Sequence, residues 1–252
     1  MKGAIFDLDG LLVDTEKTYR DGWLWGFQQF DIHIPKEIVD AWGGKNWKQS
    51  FDILVKAAGS PEKVQEVRAK REEYFYQQLT SGAIHLKPYA KEILADLKER
   101  HMKLGIATTT VTKRATDILD HFKLADYLDT FTFGDEVSEN KPSPIPYLTA
   151  LERTGLEASS AFAVEDSLVG ATAASRAGLG VVLIPDSSFV RNYTVEEKEK
   201  LKLLAEGKDF DDYRGLLRDP SEEKDVGRRC CSLVTFQFSS CRLIPTTKYR
   251  FR

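Results

Sequence analysis

Residues 5–16, IFDLDGLLVDTE, set an apolar run directly ahead of a glycine and two carboxylates two positions apart, Asp7 and Asp9. Acidic side chains ordinarily stay on solvated faces. Here they follow Ala4–Phe6, which is continuously apolar rather than alternating, as expected of a strand buried on both faces. Similar runs recur at Leu104–Ala107, Phe131–Phe133, Phe162–Val164 and Val181–Ile184. Helical patterns lie between them. Ala115, Ile118, Leu119 and Phe122 share one helical face, and Ile93, Leu94 and Leu97 make another ahead of the second run. The stretch PSPIPYLTALERTG, residues 142–155, enters through prolines and leaves at Gly155, the asymmetry a helix favours. The segment after Asp166 likewise ends at Gly178. This alternation predicts an α/β fold, a doubly wound parallel sheet.

One stretch breaks the pattern. Between Asp14 and Pro88 only helical stripes occur: Tyr19, Trp23, Phe27 and Phe30; then Phe51, Leu54, Val55 and Ala58; then Val64, Val67, Tyr74 and Phe75. They predict a helical-bundle cap, inserted after the first strand, with a small core of its own. The expected organisation is a discontinuous α/β core over 1–14 and 86–190 and a cap over 15–85. A helical extension over 191–219 and an irregular or disordered tail over 220–252 complete the chain. The extension contains TVEEKEKLKLLAE, residues 194–206, which opens on a capping box of Thr194 and Glu197.

Composition bounds the function. The chain has 252 residues, 42% hydrophobic and 30% charged, with a net charge of −3. Nothing in that balance calls for a nucleic-acid partner. No run approaches the roughly 20 apolar residues of a membrane span, and the N-terminus lacks a signal-like apolar stretch. All three cysteines (Cys230, Cys231 and Cys241) lie near the end, so the body has no disulfide framework, and the expectation is a cytoplasmic monomer.

Ligands of doubly wound sheets bind outside the carboxyl ends of the strands. The polar residues just past the successive apolar runs are Asp7 and Asp9, then Thr108–Thr110, then Lys141, then Glu165 and Asp166. Singly, these are ordinary turn, cap and surface residues. Together they deliver four acids, a hydroxyl and an ammonium to one rim, which suits phosphoryl transfer. A phosphate monoester repels an attacking carboxylate. A divalent cation held by Asp7 and Asp166, with Glu165 near, would relieve that repulsion, and hard oxygen ligands select Mg²⁺. Lys141 would offset the shared charge, and Thr108 would donate to a phosphoryl oxygen. Asp7 is the expected nucleophile and Asp9 the acid and base, two carboxylates with different tasks.

The set resembles the haloacid dehalogenase superfamily of phosphohydrolases over about residues 1–185. The motifs are FDLDGLLVDTE, GIATTT, GDEVSENKPSP and AVEDSLVGATAASRAG. The insertion resembles the helical cap of the β-phosphoglucomutase-like branch. The resemblance implies Asp7 as nucleophile, Asp9 as acid/base, and Thr108 and Lys141 as the phosphate-binding pair. It also implies Mg²⁺ ligation by Asp7, the backbone oxygen of Asp9, and Asp166, with Glu165 contributing. Thr109, together with Gly44, Lys45 and Trp47 of the cap loop WGGKNWKQSF, would touch substrate. Phosphomutases of this branch carry a histidine early in the first cap helix, where this chain has Tyr19 in KTYRDGW. Ile145 stands where an acidic residue is usual. The expectation is therefore a phosphatase of a small phosphorylated metabolite, a sugar phosphate or nucleotide. The alternatives are a hexose-phosphate mutase and an inactive phosphate-binding protein, the latter disfavoured by intact acids at both Asp7 and Asp9.

Overall fold

A computed structural model describes residues 1–40, 47–186 and 193–210, with the backbone alone for residues 40 and 47–50. Five strands, β1 (Gly3–Phe6), β2 (Lys103–Ala107), β3 (Thr130–Thr132), β4 (Ala161–Glu165) and β5 (Gly180–Leu183), coincide with the five apolar runs to within about a residue or two at each end. With β6 (Leu203–Glu206) they form one sheet in the order β3-β2-β1-β4-β5-β6, every neighbouring pair parallel. β1 lies in the middle, with Phe6 level with Ile106 on one side and Val164 on the other. Its side chains alternate between two cores. Ala4 and Phe6 join one cluster, and Ile5 joins the other. Each face thus has a helical layer to bury against, and this is the predicted α/β doubly wound arrangement.

Between β1 and β2 the chain forms α1 (Glu16–Gln28), α2 (Lys36–Asp40), α3 (Trp47–Ala58) and α4 (Pro61–Ser81), then α5 (Ala90–Glu99). Trp23, Phe27, Ile34, Val39, Leu54, Val64 and Val67 make a separate apolar cluster within α1–α4. α4 is well delimited: Ser60 accepts from the Lys63 N–H at 3.2 Å, Pro61 opens the helix, and Gly82 closes it at φ +75°. A side chain at Gly26 would sit 2.8 Å from the Val67 carbonyl, so α1 and α4 approach through a glycine. The buried stripe of α4 runs Val64, Val67, Arg71, Phe75, Leu79. It passes through an arginine, and Tyr74 is only partly buried. The two passages into and out of this segment lie side by side. The Asp14 N–H donates to His85 O and the Lys87 N–H to Leu12 O, both at 2.9 Å.

The remaining helices are α6 (Thr112–His121), α7 (Ile145–Thr154), α8 (Leu168–Arg176) and α9 (Val195–Glu199). α5 and α6 face the Phe6 core, and α7 and α8 the Ile5 core. No helix among the described residues is long and apolar enough to cross a membrane. The helical extension expected over 191–219 needs correction. The Thr194–Glu197 capping box is present, but α9 ends at Glu199 and Leu203–Glu206 pair with β5 instead. Leu203 and Ala205 are half-buried while Leu204 and Glu206 are exposed, the period of an edge strand. The capping box started a helix there; an open sheet edge ended it. The tail expected over 220–252, with its three cysteines, lies outside the described residues.

Asp129 staples the start of β2. One of its oxygens accepts from the Leu104 N–H and the other from Lys98, at 2.7 and 2.8 Å. Burial works against this carboxylate, but Lys98 and the Leu104 amide outweigh it and hold its pKa below the usual value. Asp129→Asn should therefore cost about 1 kcal/mol at neutral pH, a surface-sized effect because the pair is partly exposed. The loss should vanish as pH falls through the depressed folded value, where the wild-type carboxyl is itself protonated. Urea midpoints at several pH values check both statements.

Candidate active site

The turn after β1 places two acids with opposite surroundings. The Asp7 N–H extends the β1–β4 ladder, donating to Val164 O at 3.0 Å. The chain then folds back sharply, with the Gly10 N–H bonding Val13 O at 2.9 Å and the Val13 N–H bonding Leu8 O at 3.2 Å. Leu8, Leu11, Leu12 and Val13 are almost wholly buried, which anchors the turn. Gly10 has φ +78°, and a side chain there would collide with the Asp166 carboxylate.

Asp7, Glu165 and Asp166, from the ends of β1 and β4, bring carboxylate oxygens within 4.8 Å of one another. Lys141, from the loop before α7, reaches Asp7 Oδ1 at 2.5 Å and Glu165 Oε1 at 2.6 Å. The Tyr147 hydroxyl also donates to Glu165 Oε1 at 2.5 Å, and Lys141 Nζ lies 5.1 Å from the Tyr147 ring centre. Lys141 thus takes its support from Glu165 and Tyr147, while Ile145 merely opens α7.

Burial first, then the neighbouring Glu165 and Asp9, push Asp7 up to about 7 against the pull of Lys141. Asp166 is raised well above its ordinary value by burial and by Asp7 and Glu165. Burial opposes the Lys141 charge, but Asp7 and Glu165 outweigh it and raise its pKa. When all three carboxylates are ionised they exceed the one ammonium by two charges, and their buried oxygens make a donor set that fits a hard divalent cation.

A side chain at position 170 would strike the Glu165 carboxylate, because the first turn of α8 lies directly against it. Gly170→Ala should therefore lower stability by about 1–3 kcal/mol and displace Glu165 from Lys141. Denaturant midpoints, with activity measured in parallel, test this.

Asp9 stands apart from that trio. Its Oδ1 accepts from Thr15 at 2.7 Å and Tyr19 at 2.9 Å, while Oδ2 accepts from Thr110 at 2.7 Å and Thr108 at 3.3 Å. Its side chain is therefore directed to hydroxyls, and only its backbone oxygen would be left for a metal. Thr108 is buried, and Thr109 is exposed at the rim. Gly44 and Lys45 lie outside the described residues, and Trp47 belongs to α3 with its side chain outside them.

Sequence reasoning missed Thr15, Tyr19, Thr110 and Tyr147. It also missed Asp186, a buried residue just past β5 that accepts from Lys87 at 2.7 Å and adds to the field at Asp166. Thr110 was within reach, since Thr108 and Thr110 share a side if the strand's period of two continues. Tyr19 had entered as one member of an apolar stripe and as the residue in place of a mutase histidine, not as a partner of Asp9.

Comparison with known proteins agrees with this geometry. The model of the haloacid dehalogenase-like hydrolases matches residues 4–184. Protein CbbY of Rhodobacter capsulatus is 32% identical over 201 residues, spanning 76% of this chain and 88% of that protein. A phosphorylated carbohydrates phosphatase of Thermotoga maritima is 29% identical over 179 residues, 71% of this chain and 82% of that one. The crystal structure of a candidate β-phosphoglucomutase, also from Thermotoga maritima, superposes with a TM-score of 0.70 at 27% identity. It covers 86% of this chain and 98% of its own. With the sheet order, the acid trio and its lysine already in place, the chain belongs to the haloacid dehalogenase-like hydrolase family.

Proposed function

We propose that this protein is a Mg²⁺-dependent phosphatase of small phosphorylated carbohydrates, working through an aspartyl-phosphate at Asp7. The supporting observation is the contrast between two neighbouring carboxylates. Asp7 lies among acids against Lys141, whereas Asp9 lies among four hydroxyls. Asp7, the backbone oxygen of Asp9, and Asp166 would hold Mg²⁺, with Glu165 contributing. The ion would supply charge neutralisation for an anionic ester beside anionic ligands.

The chain's own groups carry the rest. An Asp7 oxygen attacks phosphorus as the bond to the alcohol oxygen breaks, and Asp9 gives that oxygen its proton. Asp9 then takes a proton from water as the water attacks the acyl phosphate, restoring Asp7 and releasing inorganic phosphate. Lys141 offsets charge on the transferring group, and the Thr108 hydroxyl, turning from its long 3.3 Å bond to Asp9, donates to one of its oxygens. The carbohydrate substrate class follows the relatives' names.

A phosphate-release assay over sugar phosphates and nucleotides, with Mg²⁺ or with a chelator, tests the reading. Release from at least one sugar phosphate, abolished by chelator and restored by Mg²⁺, is the expected result. Conversion of β-glucose 1-phosphate to glucose 6-phosphate without free phosphate would replace hydrolysis by mutase action. No turnover on any ester would leave a binding protein.

A further inference from the structure

We infer that Tyr19 is a positioning residue for the proton donor Asp9, and that it makes the enzyme selective for esters whose leaving group needs a proton. The inference rests on the phosphatase reading above. It starts from how the two oxygens of Asp9 are shared. Oδ2 is held from the sheet side by Thr108 and Thr110, and Oδ1 from the other side by Thr15 and Tyr19, at the entrance to α1 and within it. Four hydroxyls surround the two oxygens and fix the rotamer. In the proton-donating form the Thr108 hydroxyl, the most distant of the four, has turned to the phosphoryl group and leaves Oδ2 free to carry the proton.

The Tyr19 side chain is itself clamped. Its ring stacks on Phe75 of α4 at 5.1 Å between centres and 12° between planes. Two guanidiniums lie over the same ring, Arg71 of α4 at 5.5 Å and Arg114 of α6 at 5.1 Å. Both arginines are over nine-tenths buried, their Nε atoms have no hydrogen-bond partner among the described residues, and both guanidiniums contact Glu72. Buried guanidiniums are costly to keep. Here, two stand near two carboxylates, Glu72 and Asp9, and both lie over the ring whose hydroxyl bonds Asp9. The Arg114 charge also reaches Asp9 directly, and the cluster as a whole holds the tyrosine hydroxyl against it.

Such a holder has a specific kinetic consequence. When the bond from phosphorus to an alkyl oxygen breaks, the departing alkoxide takes the proton from Asp9, and a misplaced donor slows the step. A nitrophenolate leaves without that proton, so the same misplacement matters far less. Tyr19→Phe keeps the ring, its stacking and its arginine contacts and removes only the hydroxyl. It should lower the ratio of kcat/KM for a sugar phosphate to kcat/KM for 2,4-dinitrophenyl phosphate about tenfold, the size of one hydrogen bond to a charged group. In an Asp9→Asn background the same change should leave the ratio where Asp9→Asn alone puts it, because the group Tyr19 acts through is gone.

An equal loss on both esters would show a merely structural role and overturn the inference, as would an unaltered ratio in the single variant. A further fall of the ratio in the double variant would do so too. These failures are distinct from failure of the phosphatase reading, which would appear as wild-type protein hydrolysing neither ester.

Discussion

Asp7→Asn is expected to lower kcat for phosphate release by at least about 10⁴-fold, the scale seen when a covalent nucleophile is removed. An amide nitrogen or oxygen in that place cannot form the acyl phosphate, and Asp9, the other carboxylate past β1, is turned toward hydroxyls. The variant should nevertheless fold well. In the metal-free protein Asp7 is pushed from 3.8 up to about 7, mainly by burial. The folded state then holds a proton that the unfolded state has released, so the wild type loses stability as pH rises through that interval. Removing the carboxyl removes this loss. With chelator present, the thermal midpoint of Asp7→Asn should exceed that of wild type at pH 8, and the gap should shrink toward pH 4. Loss of both activity and folding would mean that Asp7 serves the structure instead.

Lys141→Met is expected to cost about 3–5 kcal/mol in metal-free protein at neutral pH, the usual result of removing one partner from a buried charge pair. Lys141 is the ammonium within 2.6 Å of both Asp7 and Glu165, and its side chain is only 4% exposed. Without it, three buried carboxylates face one another. They can relieve that only by protonation, so the destabilisation should be smaller at pH 5 than at pH 8. Turnover should fall at least about 10²-fold, since a cation aimed at the transferring group is lost. Chemical denaturation at the two pH values, with and without Mg²⁺, reads both effects. A Mg²⁺-dependent recovery of stability without recovery of turnover would separate the two tasks of Lys141.

The fold was legible wherever burial was complete. Strands covered on both faces must be apolar throughout, so Ala4–Phe6 and Phe162–Val164 announced themselves. Asp7, Lys141, Glu165 and Asp166 were legible because each comes after such a run, and sheet geometry does the rest. β6 was not. Half-buried at an edge, Leu203–Glu206 carries too few apolar residues to distinguish a period of two from one of 3.6 when a capping box stands just upstream. Arg71 and Arg114 were illegible for another reason. A charge in a helical stripe looks like solvated surface unless its partner is known, and these partners come from α1, α4 and α6. Tyr19 fitted the apolar stripe so well that its hydroxyl went unread.

The paired passages at Asp14–His85 and Leu12–Lys87 set where the inserted helices begin and end: at neighbouring points over the rim. An excursion that returns to its starting point adds nothing to the span that β1 and β2 must bridge, and closing even a long loop costs little extra entropy. Strand pairing therefore sets little limit on how much chain hangs there. A short turn joining residue 14 to residue 86 should leave β1 paired and Asp7, Glu165 and Asp166 together. It would remove the Thr15 and Tyr19 bonds to Asp9 and the Phe75, Leu79 and Ile84 packing, and open the rim to phosphates borne on bulky molecules. The size of the phosphate ester admitted would then be governed by the length of one insertion.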